Sequence, residues 1–253
     1  MYNIQTQKME NRMQLLIDGD IVAYKVASAC EHPTDWGDGL WTMHSYEQEV
    51  EDGIDNFISH LKSQAKADTI LTALSDTRNF RKEQVSPHYK ANRSGQRRPM
   101  LLNHAKQYLR THHNGESMRQ LEADDVLGIY ATSFKDNIIW SEDKDLRTIP
   151  CKHLIDGEVV EITEEEADRN FYIQALAGDM VDGYSGCPRI GIKTAEKILD
   201  EPPYWNKVVA TYNKAGLSEE VALENARLAR ILRKGEYLEG YDKEGDVNLW
   251  TPT

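Results

Sequence analysis

The sequence predicts an α/β protein built on a parallel sheet, followed by a helical region. Three observations carry this. Short apolar runs, "QLLI" at 14–17, "TILTAL" at 69–74 and "NIIW" at 137–140, are separated by longer stretches with helical periodicity. Each run stops at an acid or an acid-rich turn. From about residue 163 helical patterns dominate.

The elements follow in order. "MQLLI" reads as a buried strand turning at Asp18-Gly19-Asp20, and "IVAYKVASA" as a helix. The next helix is expected to start with a capping box of Ser45 and Gln48, then place Val50, Ile54, Phe57, Ile58, Leu61 and Ala65 on one face. "TILTAL" is a second strand, ending at Ser75-Asp76. A basic stretch rich in Ser, Gly, Asn and Pro reads as loop or mobile helix up to Pro99, which suits the first turn of the following helix. "EADDVLGIYATSF" is a helix with an acidic start, and "NIIW" a third strand leading into "SEDKDL". "KHLIDGEVVEIT" reads as a hairpin around Asp156-Gly157. Thr163 and Glu166 form another capping box. The expected organisation is an extension at 1–13, an α/β core at 14–165 with a basic loop at 77–99, a helical region at 166–235, and a weakly ordered acidic tail at 236–253.

Composition narrows the function. The three cysteines, Cys30, Cys151 and Cys187, lie far apart, which argues for a reducing, cytoplasmic setting without disulfides or a zinc site. No apolar run approaches membrane-span length, and no signal peptide is evident. The net charge is −12, yet the segment from Thr77 to His113 carries nine Lys/Arg against Glu83 alone. A basic segment in an acidic chain is a candidate phosphate-binding surface, or else a solvated loop and helix face.

Acids cluster where the strands end: Asp18 and Asp20, then Asp76, then Asp143 and Asp145. Ligands of an open parallel sheet bind at that edge. Glu122, Asp124 and Asp125 open a helix, and Asp179 and Asp182 are three apart. Singly, each suits a turn or a helix start. Together they would repel and raise one another's pKa unless a cation sat among them. All-oxygen donors point to Mg²⁺ or Mn²⁺, two of which can drive phosphodiester hydrolysis. "GCPRIGIKTA" at 186–195 is close to a nucleotide-binding loop, but Ile192 displaces Lys193 by one position. Two helices joined by a tight glycine-containing turn fit better, as a grip on a DNA phosphate backbone or as a plain turn.

These motifs, "LIDGD", "YKANR", "LEADDVLG", "SEDKDL" and "GDMVDGYSGCPRIGIKTAEKIL", occur together in one order. In this the chain resembles the 5′-nuclease family of flap endonucleases and 5′–3′ exonucleases, in particular its bacteriophage branch. The resemblance implies a PIN-like, Rossmann-like parallel-sheet nuclease core with a helix-hairpin-helix. It implies one metal site from Asp18, Asp76, Glu122, Asp124 and Asp143, with Asp125 as an additional or bridging carboxylate, and a second from Asp145, Asp179 and Asp182. Lys90 and Arg93 would contact the scissile phosphate from an arch under which single-stranded 5′ ends pass. Gly186, Gly191, Ile192, Lys193 and Thr194 would grip duplex DNA, with a bound K⁺. Arg78, Arg81, Lys82, Arg97 and Arg98 would add DNA contacts, and Tyr89 would stack on bases. The implied substrate is duplex DNA with 5′ ends or flaps, or an RNA–DNA hybrid, in a host cytoplasm alongside replication proteins. Gly183 departs from the family, which often has Asn there. Asp20 has no family role. Rival readings are a haloacid-dehalogenase-type phosphatase using Asp18 and Asp20, a non-catalytic DNA-binding module, and a PIN-type ribonuclease.

Overall fold

A computed structural model describes residues 12–93, 95–239 and 245–252. The expected N-terminal extension lies almost wholly outside them. The central sheet has six strands: β1 (Gln14–Asp18), β4 (Thr69–Ala73), β5 (Gly115–Glu116), β6 (Asn137–Trp140), β7 (Lys152–Ile155) and β8 (Glu158–Glu161). Their order is β5-β4-β1-β6-β7-β8. All neighbours are parallel except the β7–β8 hairpin. That hairpin turns at Asp156 and Gly157, both with positive φ, as a tight two-residue turn requires.

The central position of β1 follows from its composition. Leu15 and Ile17 point to one face and Leu16 to the other, and all three are fully buried. The first face is covered by α1 (Gly19–Ala29), α2 (Glu47–Ala65) and α3 (Leu102–His112). The second is covered by α4 (Ala123–Ser133) and by the 3₁₀ turn Lys144–Thr148. Burying one such aliphatic side chain contributes about 1.5–3 kcal/mol. Register then sets up the functional edge. Asp18 pairs with Ala73, and Ile17 with Trp140, so β1, β4 and β6 end level with one another.

The remaining helices are α5 (Glu164–Ala177), α6 (Ile192–Ile198), α7 (Tyr204–Lys214) and α8 (Glu219–Ala229). The Thr163–Glu166 capping box forms as expected. The expected box at Ser45 does not. A short hairpin, β2 (His32–Asp35) with β3 (Trp41–His44), ends one residue earlier and sets the chain direction. The helix starts at Glu47 behind Tyr46, which gives no side-chain cap, and the Ser45 hydroxyl is buried without a hydrogen-bond partner. Pro99 precedes its helix and sits in the lead-in turn, where its carbonyl accepts the Leu102 N–H at 3.2 Å.

The C-terminal segment differs most from expectation. β9 (Tyr237–Glu239) and β10 (Gly245–Val247) form an antiparallel hairpin. Trp250 packs against Phe171 and Trp205 with ring centroids 5.1 and 5.2 Å apart. Acidic composition concealed these aromatic anchors. Ile231, Leu232 and Val247 join the core beside Leu16 and Leu127, so the chain returns to the α/β unit after its helical excursion.

Candidate active site at the carboxyl edge of the sheet

Asp18 closes β1 and is 3% exposed. One oxygen caps α1 by accepting the Ile21 N–H at 3.1 Å, and the other accepts the Ser141 hydroxyl at 2.8 Å. Ser141 follows β6 and also receives the Asp143 N–H at 3.0 Å. Asp143 in turn caps the 3₁₀ turn by accepting the Asp145 N–H at 2.9 Å. Asp124 enters from the first turn of α4. Asp18, Asp124 and Asp143 line one cleft of about 400 Å³ with Asp20, Glu122, Lys90 and Arg93.

The electrostatics of this group are strained. Burial raises the Asp18 pKa to about 6, helped by Asp20 and Asp143. Burial and then the charges of Asp18 and Asp143 push Asp124 well above the carboxylate range. Asp145 rises to about 7 through burial and the charges of Asp143, Asp179 and Asp182. Such mutual elevation marks a site that favours protons or cations. Among the described residues, no group of three or more Asp, Glu, His or Cys side chains is drawn together enough to hold a metal ion as it stands.

Protein cations hold part of the cluster. Lys90 Nζ lies 2.5 Å from Glu122 and 3.4 Å from Asp182, and Arg93 pairs with Asp182. Burial opposes ionisation of Glu122, but Arg81 and Lys90 overcome it and hold its pKa at about 2. The basic loop is docked on the 179–184 turn. The Lys90 N–H donates to the Asp182 carbonyl at 2.7 Å, and the Asn92 amide to Met180 at 2.9 Å. Gly183 makes this possible. Its φ is +81, and a side chain there would meet the His88 carbonyl at 3.1 Å and the Lys90 nitrogen at 3.3 Å.

Several sequence-based assignments change. Asp125 is fully buried and is no candidate ligand, because Arg81 binds it with two 2.7 Å hydrogen bonds. Arg81 is therefore not a DNA contact: it is 2% exposed and also donates to the carbonyl of Leu228. Tyr89, 3% exposed, has no face for a base; its hydroxyl donates to Glu122 and Asp182 at 2.9 and 3.0 Å. Asp76 lies outside the cleft, with its oxygens accepting the N–H groups of Thr77 and Gln120 at 2.7 Å each. Arg97 is engaged by Glu31 at 2.7 and 2.9 Å. Gly186 is buried, and a Cβ there would lie 2.4 Å from the Gly178 nitrogen, so it serves chain packing. The connection between α5 and α6 is also long, from 178 to 191, and not a tight turn. Gly191, Ile192, Lys193 and Thr194 are exposed. Arg78, Lys82 and Arg98 line an adjoining groove. Asp20 pairs with Lys106 at 2.8 Å, a contact with no signature in local sequence. Ser141, which orients Asp18 and Asp143, was hidden in the same way.

Comparison with known proteins shows the family and the fold. The family described as "5′-3′ exonuclease, N-terminal resolvase-like domain" matches residues 13–173. The exodeoxyribonuclease of Enterobacteria phage T3 is 31% identical, over 94% of this chain and 92% of that protein. The exonuclease of Escherichia phage T7 is 32% identical, over 94% of this chain and 93% of that one. A bacteriophage T5 protein co-crystallized with metal ions superposes with a TM-score of 0.66 at 18% identity, covering 86% of this chain and 89% of its own. At that identity the likeness establishes the shared fold.

Proposed function

This chain belongs to the 5′–3′ exonuclease family and acts as an exonuclease of that polarity; from that premise we propose that it hydrolyses DNA from 5′ ends at Asp18, Asp124 and Asp143, with divalent metal ions. The observation that carries the assignment is the meeting of Asp18, Asp124 and Asp143 in one cleft where β1 and β6 end, with burial and mutual repulsion raising the pKa of Asp18 and Asp124. The donor set fits a hard divalent cation, Mg²⁺ or Mn²⁺. Asp18, Asp124 and Asp143, with Glu122, would hold one ion, and Asp145, Asp179 and Asp182 a second. The T5 protein co-crystallized with metal ions supports this reading. When bound, such ions supply an activated water and stabilise the departing oxygen.

The residues of the chain have separable tasks. Ser141 holds one oxygen of Asp18 and aligns Asp143 by its backbone, so two carboxylates share one anchor. Tyr89 and Arg81 fix Glu122 from behind. Lys90 and Arg93 reach the cleft from the basic loop, and a phosphate diester that enters exchanges their carboxylate partners for its own oxygens. Their charge then opposes the charge that builds on the phosphate. Lys193, exposed in the first turn of α6, would meet duplex backbone outside the cleft.

The test uses 5′-labelled duplex with Mg²⁺, with EDTA, and with Asp143→Asn. EDTA and the substitution should each lower the rate by at least about a hundredfold, in the range of lost catalytic electrostatics. Equal rates for wild type and Asp143→Asn would overturn the assignment.

A further inference from the structure

The β2–β3 hairpin stands on little support. It forms a two-stranded sheet apart from the central six strands, and its Trp36, Leu40 and Trp41 are 65%, 61% and 59% exposed. A lone two-stranded hairpin is marginally stable in water. Its order therefore depends on its base. There the register sets His32 opposite His44, with ring centroids 5.4 Å apart. Tyr46 stands edge-on to His44 at 5.5 Å. Glu49, in the first turn of α2, places a carboxylate oxygen 2.6 Å from His32 Nε2. Between hairpin and helix, Ser45 has a buried hydroxyl without a hydrogen-bond partner, and no side chain caps α2.

These groups form a donor set unlike the strand-end carboxylates. Two imidazoles with one carboxylate suit Zn²⁺, which takes nitrogen and oxygen ligands in a tetrahedron. The spacing fits. Two imidazoles on one tetrahedral Zn²⁺, with Zn–N bonds of about 2.0–2.1 Å, hold their ring centroids about 5 Å apart. Ligand atoms of one such ion lie about 3.3 Å apart, so the His32–Glu49 pair opens by less than about 1 Å to admit it. As they stand, the donors do not converge on one point. An imidazole turned by half a revolution exchanges nitrogens for carbons within nearly the same outline, so rotation of the His44 side chain brings a nitrogen round. The site is open to ions: the side chains of His32 and Glu49 are 45% and 47% exposed. The local field draws cations, since the chain from Val26 to Leu61 has eight Asp or Glu and no Lys or Arg.

We propose that His32, His44 and Glu49 bind one Zn²⁺, with water as fourth ligand, and so clamp the base of the β2–β3 hairpin to α2. His32 enters as a neutral imidazole, and the proton it shares with Glu49 passes to solvent. The ion joins three elements, β2, β3 and α2, at the turn where the helix has no side-chain cap. This site stands apart from the carboxylate cleft and uses none of its residues. The cysteine spacing that argues against zinc has no bearing on a site built of histidines.

The test titrates Co²⁺, a spectroscopic stand-in for Zn²⁺, into protein kept in excess Mg²⁺ to supply the carboxylate cleft. A four-coordinate site with two imidazoles gives strong visible bands, whereas six-coordinate all-oxygen sites give weak ones. Wild type should show the strong bands at one equivalent, and Zn²⁺ should bleach them. His32→Ala and His44→Ala should each weaken this binding by at least about a hundredfold, the upper range for loss of an outer-shell partner. His60→Ala, exposed on the same helix, should leave it unchanged. Chymotrypsin cleavage after Trp36, Leu40 or Trp41 should slow at least about tenfold with Zn²⁺ in wild type, and not in His32→Ala with His44→Ala. Thermal melting without Zn²⁺ confirms that the variants fold. Absence of strong bands in wild type, or bands retained in His32→Ala with His44→Ala, overturns the site and leaves an ion pair beside packed rings. Absent 5′ cleavage with Mg²⁺ would bear on the nuclease reading alone.

Discussion

Removing the guanidinium of Arg81 should destabilise the protein severely and leave DNA contacts almost untouched. Arg81 and Asp125 are 2% and 0% exposed and share two hydrogen bonds of 2.7 Å. In Arg81→Ala, Asp125 keeps only the N–H groups of Glu122 and Leu232, at 3.2 and 3.1 Å. A buried carboxylate without its counter-charge costs about 3–5 kcal/mol. The Leu228 carbonyl also loses its 3.0 Å donor. Against a total stability of about 5–15 kcal/mol, that loss is a large fraction. Urea unfolding followed by tryptophan fluorescence should show a lower midpoint at unchanged m-value. Arg81→Met combined with Asp125→Leu should lose less than the sum of the single changes, because no orphan charge remains. The reasoning fails if Arg81→Ala costs under about 1 kcal/mol, within the range of an exposed salt bridge. It fails equally if stability holds while DNA affinity and its salt slope fall.

Three further outcomes are expected. Tyr89→Phe should cost about 1–3 kcal/mol, through lost hydrogen bonds to Glu122 and Asp182, and leave single-strand affinity unchanged; unchanged stability would refute the buried hydrogen-bonding role. Metal-free protein should lose stability as pH rises from about 4 to about 7, because folded Asp18 and Asp145, at about 6 and about 7, hold protons that the unfolded chain releases near 4. The Asp18 shift alone is worth about 3 kcal/mol, and melting with EDTA or Mg²⁺ between pH 5 and 8 should show Mg²⁺ abolishing the decline. Gly186→Ala should cost more than about 2 kcal/mol, since φ is +64 and backbone atoms lie within 2.6 Å of the new carbon; Gly191→Ala, in open space, should cost under about 1 kcal/mol.

Much of the fold was legible because periodicity is local. The apolar runs of β1, β4 and β6, the Asp156-Gly157 turn and the Thr163–Glu166 box all rest on neighbours within a few residues. The β2–β3 hairpin was missed because "DWGDGLW" combines exposed aromatics with turn residues and shows no apolar alternation. The C-terminal hairpin was missed because Trp250 acts on Phe171 and Trp205, far away in sequence.

The site divides along the same line. Sequence by itself determined that acids fall where parallel strands end and that a basic segment follows the second strand, because strand ends and residue types are local properties. Tertiary structure alone decided which of two adjacent like residues faces the chemistry. Asp124 lines the cleft while Asp125 lies beneath it; Lys82 lines the groove while Arg81 is buried. Consecutive residues on a helical turn do not share a face. Which face is covered depends on what packs there, and here that is the chain near Leu228 and Arg230, about 150 residues away from Arg81.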